Sequence, residues 1–153
     1  MEPITITITG HPVAQGRGRA AIVAGHATVY KPGKSRRWEQ DARQLARITM
    51  GARPNLRGPL SMQLWAVFTT PASWPTWKRE AALAQRIEPS CKPDLDNLVK
   101  AAKDALNGVV WDDDAQVVHI EAWKLYGPSP HVKVQVWRRA TNPAHVNSKK
   151  ALE

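Results

Sequence analysis

Isoleucine and threonine alternate without interruption at residues 4–9 (ITITIT). This period of two predicts a β-strand with one buried face, which Gly10 and Pro12 end. Three later apolar segments, at residues 60–70, 116–126 and 131–138, predict further strands. A shorter pair, at residues 19–23 and 27–30 around Gly25-His26, predicts a hairpin.

Apolar residues recur at helical spacing in three other segments. In the first, Ser35 is a candidate N-cap, and Trp38, Ala42 and Ala46 follow on one face before Gly51. Residues 76–86 and 97–106 predict two more helices, the last stopped by Asn107-Gly108. We expect an α+β (mixed α/β) fold, in which one compact domain holds a mixed β-sheet packed by about three helices.

The expected domain covers residues 1–140, and the weakly apolar residues 141–153 are expected to form a flexible C-terminal tail. Three tryptophans within the strand patterns, Trp65, Trp123 and Trp137, are expected in the core. Trp111 is expected to pack behind an acidic turn.

Composition narrows the class of protein. The 153 residues are 42% hydrophobic and 23% charged, which is typical of a globular domain. No apolar run is long enough to span a membrane, the N-terminus lacks signal-peptide features, and Cys91 is the single cysteine. We therefore expect a reduced, cytoplasmic protein without a Cys-based zinc site.

The charge distribution indicates a polyanionic partner. Twenty-two Lys and Arg against 13 Asp and Glu give a net charge of +9, which favours nucleic acid or an anionic membrane surface. The candidate DNA contacts lie in the N-terminal part of the chain: Arg17, Arg19, Lys31, Lys34, Arg36 and Arg37. Lys31, Lys34, Arg36 and Arg37 are expected to contact DNA as a group, because counterion release depends on their summed charge.

Negative charge is concentrated elsewhere, since six of the seven aspartates lie between Asp94 and Asp114. Asp94 and Asp96 are two apart, so on an extended segment both side chains would share a face. Asp96 or Asn97 could cap the next helix, on which Lys100 lies four residues after Asp96. A second acidic group, Asp112-Asp113-Asp114, precedes the strand predicted from Gln116.

Clustered carboxylates need a compensating charge. At about 5 Å and an effective dielectric of about 20, each like-charge pair costs roughly 3 kcal/mol, a large part of a small domain's stability. A bound cation or protonation would remove that cost. Oxygen ligands without nearby His or Cys favour Mg²⁺ or Mn²⁺. Either motif alone would more often be a helix cap or a solvated turn; together they favour a metal site.

The segment KPDLDNLVKAAKDALNGVVWDDDAQV, residues 92–117, closely resembles the signature of the RusA family, the Holliday junction resolvases of bacteria and their phages. That signature has a K-P-D-x-D-N-x-x-K helix start, then D-A-L-N-G and a W-x-D-D-x-Q-V turn. Residues 10–19 are more loosely similar to the family's G-x-P-x-x-x-x-R-x-R segment. The resemblance covers roughly residues 4–138; residues 52–90 and the tail are not diagnostic.

This resemblance implies a Mg²⁺-dependent endonuclease, with Mn²⁺ as a substitute, that resolves branched DNA by paired incisions as a homodimer. The implied metal ligands are Asp94, Asp96 and Asp114, with Asp113 as a supporting carboxylate and Lys100 as the essential lysine. Aligning on Gln116 leaves Asp112 at a variable position. A bacterial or phage origin is implied, and neither a membrane nor a small-molecule cofactor is expected.

Two alternatives stay open at this point. One is a DNA-binding protein with the same fold that does not cut, and the other is a metal-dependent nuclease of flap or RNA substrates. Intact Asp94, Asp96, Lys100 and Asp114 weigh against the non-cutting protein, which would be free to lose one of them. The sequence does not distinguish junction, flap and RNA substrates.

Overall fold

The helices and strands follow the periodicities of the sequence. The computed structural model describes residues 2–16, 18–30 and 33–140. Its elements are β1 (Ile4–Thr9), β2 (Arg19–Val23), β3 (His26–Tyr30), α1 (Gly33–Met50), β4 (Leu60–Phe68), α2 (Thr76–Leu83), α3 (Leu95–Leu106), β5 (Val117–Tyr126) and β6 (His131–Arg138). A short 3₁₀ turn, Asp114–Gln116, leads into β5. The predicted α+β fold with a mixed sheet and three helices is confirmed.

Four strands form the main sheet in the order β1-β6-β4-β5. The β4–β5 pair is parallel, and the β1–β6 and β4–β6 pairs are antiparallel. Alternate residues face the core, so Ile6, Val134 and Leu64 lie side by side in register and are fully buried. The strict alternation of β1 therefore reflects one buried and one exposed face.

Helices α1 and α3 close the core. Helix α1 packs against β1 and α3, and α3 also contacts β5. The buried side of α1 repeats every four residues, with Trp38, Ala42, Ala46 and Met50. Small alanines on both helices allow the two backbones to approach closely and place α3 firmly on the core.

The three strand tryptophans are not in the core, and this prediction was wrong. Trp65 and Trp137 are half-buried, and Trp123 is 38% exposed. The register puts Trp65 beside Trp123 on the sheet face opposite the buried side chains of β4, where their rings stack with centroids 5.3 Å apart. The ammonium of Lys133 lies 5.1 Å from the Trp65 ring. Strand alternation, rather than hydrophobicity, decided where these rings lie.

Two predicted helix starts and one helix end are corrected. Helix α1 begins at Gly33, so Ser35 lies buried in its first turn and is not the N-cap. Helix α3 begins at Leu95, two residues before the predicted start, because Leu95 and Leu98 both pack toward the core. Helix α2 ends at Leu83 instead of residue 86; beyond it Gln85 adopts a left-handed conformation (φ 61°) that no helix can continue.

Strand boundaries shift by smaller amounts. The hairpin turns at Ala24-Gly25, both with positive φ, so β3 begins at His26 rather than one residue later. Strand β4 ends at Phe68, and β5 begins at Val117 because the preceding three residues form the 3₁₀ turn. The tail predicted at residues 141–153 lies outside the described residues. Among the described residues, no helix is long and apolar enough to cross a membrane.

Candidate active site

The first acidic segment lies at the start of α3. Asp94 occupies the N-cap position, but its side chain makes no capping hydrogen bond. Its carboxylate instead accepts a hydrogen bond from Lys92 Nζ at 2.7 Å. That hydrogen bond and the charge of Lys92 lower the pKa of Asp94 below its ordinary value, with a smaller effect from Lys124. Asp94 is therefore an exposed carboxylate that stays ionised.

Asp96 lies within the first turn of α3 and not on an extended segment, which corrects the prediction that it shares a strand face with Asp94 or caps the helix. It is exposed. The unpaired backbone N–H groups at a helix N-terminus favour a carboxylate there. Both aspartates thus belong to one helix start and face solvent.

Lys100 lies one helical turn after Asp96 and is exposed. Among the described residues it forms no ion pair with either Asp96 or Asp104 within 4.0 Å. A pairing of Lys100 with Asp104 along the helix, which the i,i+4 spacing would permit, is therefore not observed. Its ammonium is left available to an anion from outside the chain.

The second acidic group forms a tightly hydrogen-bonded turn. Asp113 caps the 3₁₀ turn by accepting a hydrogen bond from the N–H of Ala115 at 2.8 Å. Asp112 accepts one from Asn55 Nδ2 at 2.8 Å. Asp114, half-buried, accepts one from the indole of Trp111 at 2.8 Å. Trp111 is fully buried, which confirms that it packs behind the turn.

Gln116 holds this turn in place, a role that the sequence analysis missed. Its side-chain oxygen accepts hydrogen bonds from the N–H groups of Asp112 and Asp113, at 2.9 and 3.0 Å. Its amide nitrogen donates to the carbonyls of Leu56 and Gly58, at 2.9 and 3.2 Å. The glutamine of the W-x-D-D-x-Q-V motif was the available signal, because only an amide supplies an acceptor and two donors together.

Two further basic residues that the sequence analysis did not assign tie the site to the fold. The guanidinium of Arg43 on α1 donates to the carbonyls of Asp104 and Asn107 at the end of α3, at 2.9 and 3.2 Å. Lys124 on β5 donates to the carbonyl of Cys91, just before the acidic segment. Neither residue lies in a recognisable motif, so only the tertiary structure reveals these contacts.

The two acidic segments are not gathered into one compact cluster. Within residues 2–16, 18–30 and 33–140, no three side chains of the His, Cys, Asp or Glu type lie close enough together to hold one metal ion. The predicted set Asp94, Asp96 and Asp114 is therefore not a preformed three-ligand site. Mg²⁺ commonly keeps several waters and takes one or two carboxylates together with substrate phosphates, and the exposed start of α3 suits that mode.

The predicted DNA contacts fall on the surface. Arg19 is exposed on β2. Lys34, Arg36 and Arg37 are exposed on the first turns of α1 and line a groove of about 620 Å³. Arg17 and Lys31 lie outside the described residues. The four described residues thus leave their charge open to a polyanion.

Comparison with known proteins shows the family of the chain. A family model described as endodeoxyribonuclease RusA matches residues 9–137. The chain belongs to the RusA endodeoxyribonuclease family. It is also 36% identical to an uncharacterized protein, YqaN, of Bacillus subtilis (strain 168) over 140 residues, which are 89% of this chain and 96% of that protein. Membership of the RusA family makes cleavage of DNA phosphodiester bonds the activity to be explained.

Proposed function

We propose that the chain is a Mg²⁺-dependent, structure-selective endodeoxyribonuclease that resolves four-way DNA junctions by paired, symmetric incisions. The observation that supports this most is the exposed start of α3, where Asp94, Asp96 and Lys100 are open to a DNA strand. The RusA family match supports the reaction class. Mn²⁺ is expected to substitute for Mg²⁺, because both are hard ions bound by oxygen.

The residues of the chain have separate tasks in this proposal. Asp94, kept ionised by Lys92, and Asp96 would supply carboxylates to the metal ion, with waters and substrate phosphates among its other ligands. Asp114 would join them only when bound DNA and the ion bring the two acidic segments together, while Asp113 maintains the turn that carries Asp114. When bound, the ion supplies a Lewis acid and lowers the pKa of a coordinated water. Lys100 would place its ammonium against the non-bridging oxygens of the scissile phosphate, where negative charge accumulates in the transition state.

The basic surface would hold the DNA arms. Phosphate contacts from Arg19, Lys34, Arg36 and Arg37, and from Arg17 and Lys31, would supply affinity that does not depend on sequence. The exposed positions of the four described residues support this role. Specificity for a branched substrate would then come from the spacing of two such surfaces.

A homodimer would supply that spacing. Among the described α-helices only α3 has an acidic start, whereas resolution of a junction requires two cuts related by symmetry. A two-fold interface provides two equivalent sites. We therefore expect light scattering to give a solution mass of twice the chain's 17.0 kDa. A monomeric protein would not make paired cuts.

The decisive experiment compares labelled four-way junction, flap, linear duplex, single-stranded DNA and RNA, each with Mg²⁺, Mn²⁺ or EDTA. Symmetric cuts in the junction alone, abolished by EDTA, are expected. Tight junction binding without cuts would favour the non-cutting alternative. Preferential cleavage of the flap or of RNA would replace the proposed substrate, and cleavage in EDTA would contradict the role of the metal.

A further inference from the structure

A cleft of about 430 Å³ opens beside Lys100. Apart from Lys100, the residues in its walls have no role in the proposed cleavage of the phosphate. Its walls come from three parts of the chain: the loop after β1, the β2–β3 hairpin and α3. Among the residues that line it are Gln15, Gly18, Val29, Tyr30, Asn97 and Lys100. Its volume lies within the range of ordinary ligand pockets.

Local contacts hold the walls together. The N–H of Gln15 donates to the carbonyl of Asn97, which fastens the loop to the first turn of α3. A Cβ atom at Gly18 would lie only 2.5 Å from Val29 Cγ1, so any larger residue there would force the loop or the Val29 side chain to move. The cleft is therefore built by specific close approaches.

Its lining combines an aromatic ring, amides and positive charge. Tyr30 is 47% exposed, so its ring is accessible for stacking. Arg19 lies directly opposite Tyr30 in the hairpin register, which places both side chains on the same face. Lys100 adds a second cation at the α3 wall.

One polar atom in the cleft wall lacks a partner. The side-chain oxygen of Gln15 is buried and accepts no hydrogen bond from any described residue. An unsatisfied buried acceptor is unfavourable, and rotation about the terminal torsion of the amide is soft. A ligand that brings N–H donors into the cleft would satisfy it. Asn97 offers a second amide beside it.

We propose that this cleft binds one nucleotide of the cleaved strand, with its base unstacked from the duplex and placed against Tyr30. The polar edge of the base would meet the amides of Gln15 and Asn97, and a phosphate of the same strand would meet Lys100. This inference rests on the proposed function, since it places the base next to the strand at Lys100. Gln15 and Tyr30 are then specificity-determining residues of the nuclease.

The nucleotide is favoured over other occupants by the combination of groups. Base stacking on an aromatic ring tolerates any base because each has a π-face, and amides distinguish bases by their donor and acceptor edges. Lys100 in the cleft wall, and Arg19 on the hairpin face shared with Tyr30, match the phosphates on either side of that base. An apolar peptide could reach the amides through its backbone, but it carries no negative charge to pair with Arg19 and Lys100.

The test measures binding of the full-length protein to four-way junctions in EDTA, by fluorescence anisotropy. A single abasic nucleotide, which keeps the phosphate and removes the base, is placed at successive positions beside the mapped cut. At one position the wild-type protein should lose affinity about five- to a hundredfold. Tyr30→Ala should lose a similar factor on the intact junction and nothing further on that abasic junction, as a double-mutant cycle requires for a direct contact.

Matched variants separate stacking from other effects. Tyr30→Phe keeps the ring and should bind like wild type. Ile22→Ala, on the same hairpin and 82% exposed, should also bind like wild type. Gln15→Ala should narrow the differences in affinity among the four bases at the sensitive position. Far-UV circular dichroism checks that each variant is folded.

Several results would overturn the inference. The first is a Tyr30→Ala variant that binds the junction with wild-type affinity. The second is a loss of affinity in Ile22→Ala or in Tyr30→Phe as large as the loss in Tyr30→Ala. The third is a Tyr30→Ala variant whose loss of affinity adds in full to the loss caused by the abasic nucleotide. Cleavage of the intact junction by the wild-type protein with Mg²⁺ is measured in parallel. This assay tests the proposed function separately. If the wild-type protein cleaves normally but Tyr30→Ala does not change junction affinity, only the nucleotide-binding role of the cleft is refuted. If Tyr30 and the abasic position are coupled in binding but the wild-type protein does not cleave, only the nuclease function is refuted.

Discussion

Aspartates that look alike in the sequence have different neighbours, and the neighbours distinguish their roles. Asp94 and Asp96 are exposed at the start of α3, and Asp114 accepts a hydrogen bond from a buried indole. The carboxylates of Asp112 and Asp113 accept hydrogen bonds from the Asn55 amide and the Ala115 N–H, which hold the turn and its connection to the segment before β4. This difference suggests which aspartates can be exchanged without loss of activity.

Asp94→Asn, Asp96→Asn and Asp114→Asn should each abolish junction cleavage and leave junction binding unchanged or tighter. Loss of a carboxylate weakens metal binding and at the same time reduces the repulsion of phosphate. Asparagine keeps the acceptor oxygen that Trp111 uses at position 114, so the fold should persist. Cleavage and anisotropy assays measure the two effects.

Asp112→Asn is the matched control for those variants, because an amide oxygen still accepts the hydrogen bond from Asn55. It should cut at close to the wild-type rate. Full cleavage by Asp96→Asn would contradict the assignment of the site.

Lys100→Ala should lower the single-turnover cleavage rate about 10²–10³-fold, as is typical for loss of one electrostatic stabiliser of a transition state. Lys100→Arg should recover little, because a planar guanidinium does not reproduce a compact ammonium. Junction affinity should change far less than the rate. Asp104→Ala is the control and should cut normally; a wild-type rate in Lys100→Ala would rule out its catalytic role.

At the scale of elements, two side chains fix where the site-bearing segments lie. Gln116 joins the acidic turn to the connector before β4, and Arg43 joins α1 to the end of α3. Each makes several hydrogen bonds to backbone groups. Both act as positioning residues, since they hold the segments that carry the aspartates.

Gln116→Ala should destabilise the protein by about 1–3 kcal/mol, because backbone groups of the turn and the connector lose their partners. The cleavage rate of this variant should also be lower than that of the wild-type protein, even at temperatures where the variant is still folded. Urea unfolding and single-turnover cleavage test both effects. The control is Gln44→Ala, at an exposed position of α1; equal stability of the two variants would refute the positioning role.

Arg43→Ala should lower the free energy of unfolding by about 1.5–3 kcal/mol, because hydrogen bonds to a charged donor are lost. The cation also lies where the α3 C-terminus is partially negative. Arg47→Ala removes an exposed arginine one turn further along α1 and should change stability much less. Chemical denaturation of both variants decides the matter.

At the scale of the whole molecule, the net charge of +9 is distributed unevenly, with exposed basic residues at the start of α1. Affinity for DNA should fall steeply with salt, with a logarithmic slope of about −0.9 per phosphate contact. Replacing Arg36 and Arg37 by alanine should reduce that slope by at most about two. The slope is measured by anisotropy between low and moderate salt.

The control for this prediction keeps the same change in net charge. Arg79→Ala combined with Arg86→Ala removes two exposed arginines on and just after α2 and should leave the slope unaltered. Equal slopes for both double variants would mean that affinity follows net charge and not the α1 surface. An affinity independent of salt would reduce the basic residues to a solubilising role.

The sequence by itself determined the strands and helices wherever a periodic pattern of apolar residues ended at glycine, proline or an Asn-Gly pair. The alternation at residues 4–9 and the Asn107-Gly108 stop gave correct element ends, because pleating and helix termination are local effects. The family motif at residues 92–117 indicated a helix start at this segment, but Asp96 lies inside the first turn of α3 and not on an extended segment before it. Burial of Trp111 was also predictable, because the turn it supports is adjacent in sequence.

Only the tertiary structure decided which partners each side chain meets across long separations. Trp65 and Trp123 leave the core because strand register, set by pairing of distant segments, puts them on the other face. Arg43 and Gln116 reach backbone groups about 60 residues away in the chain. Composition and spacing carry no information about such contacts. For the same reason the sequence placed three aspartates in one cluster, whereas the described residues form no three-ligand group.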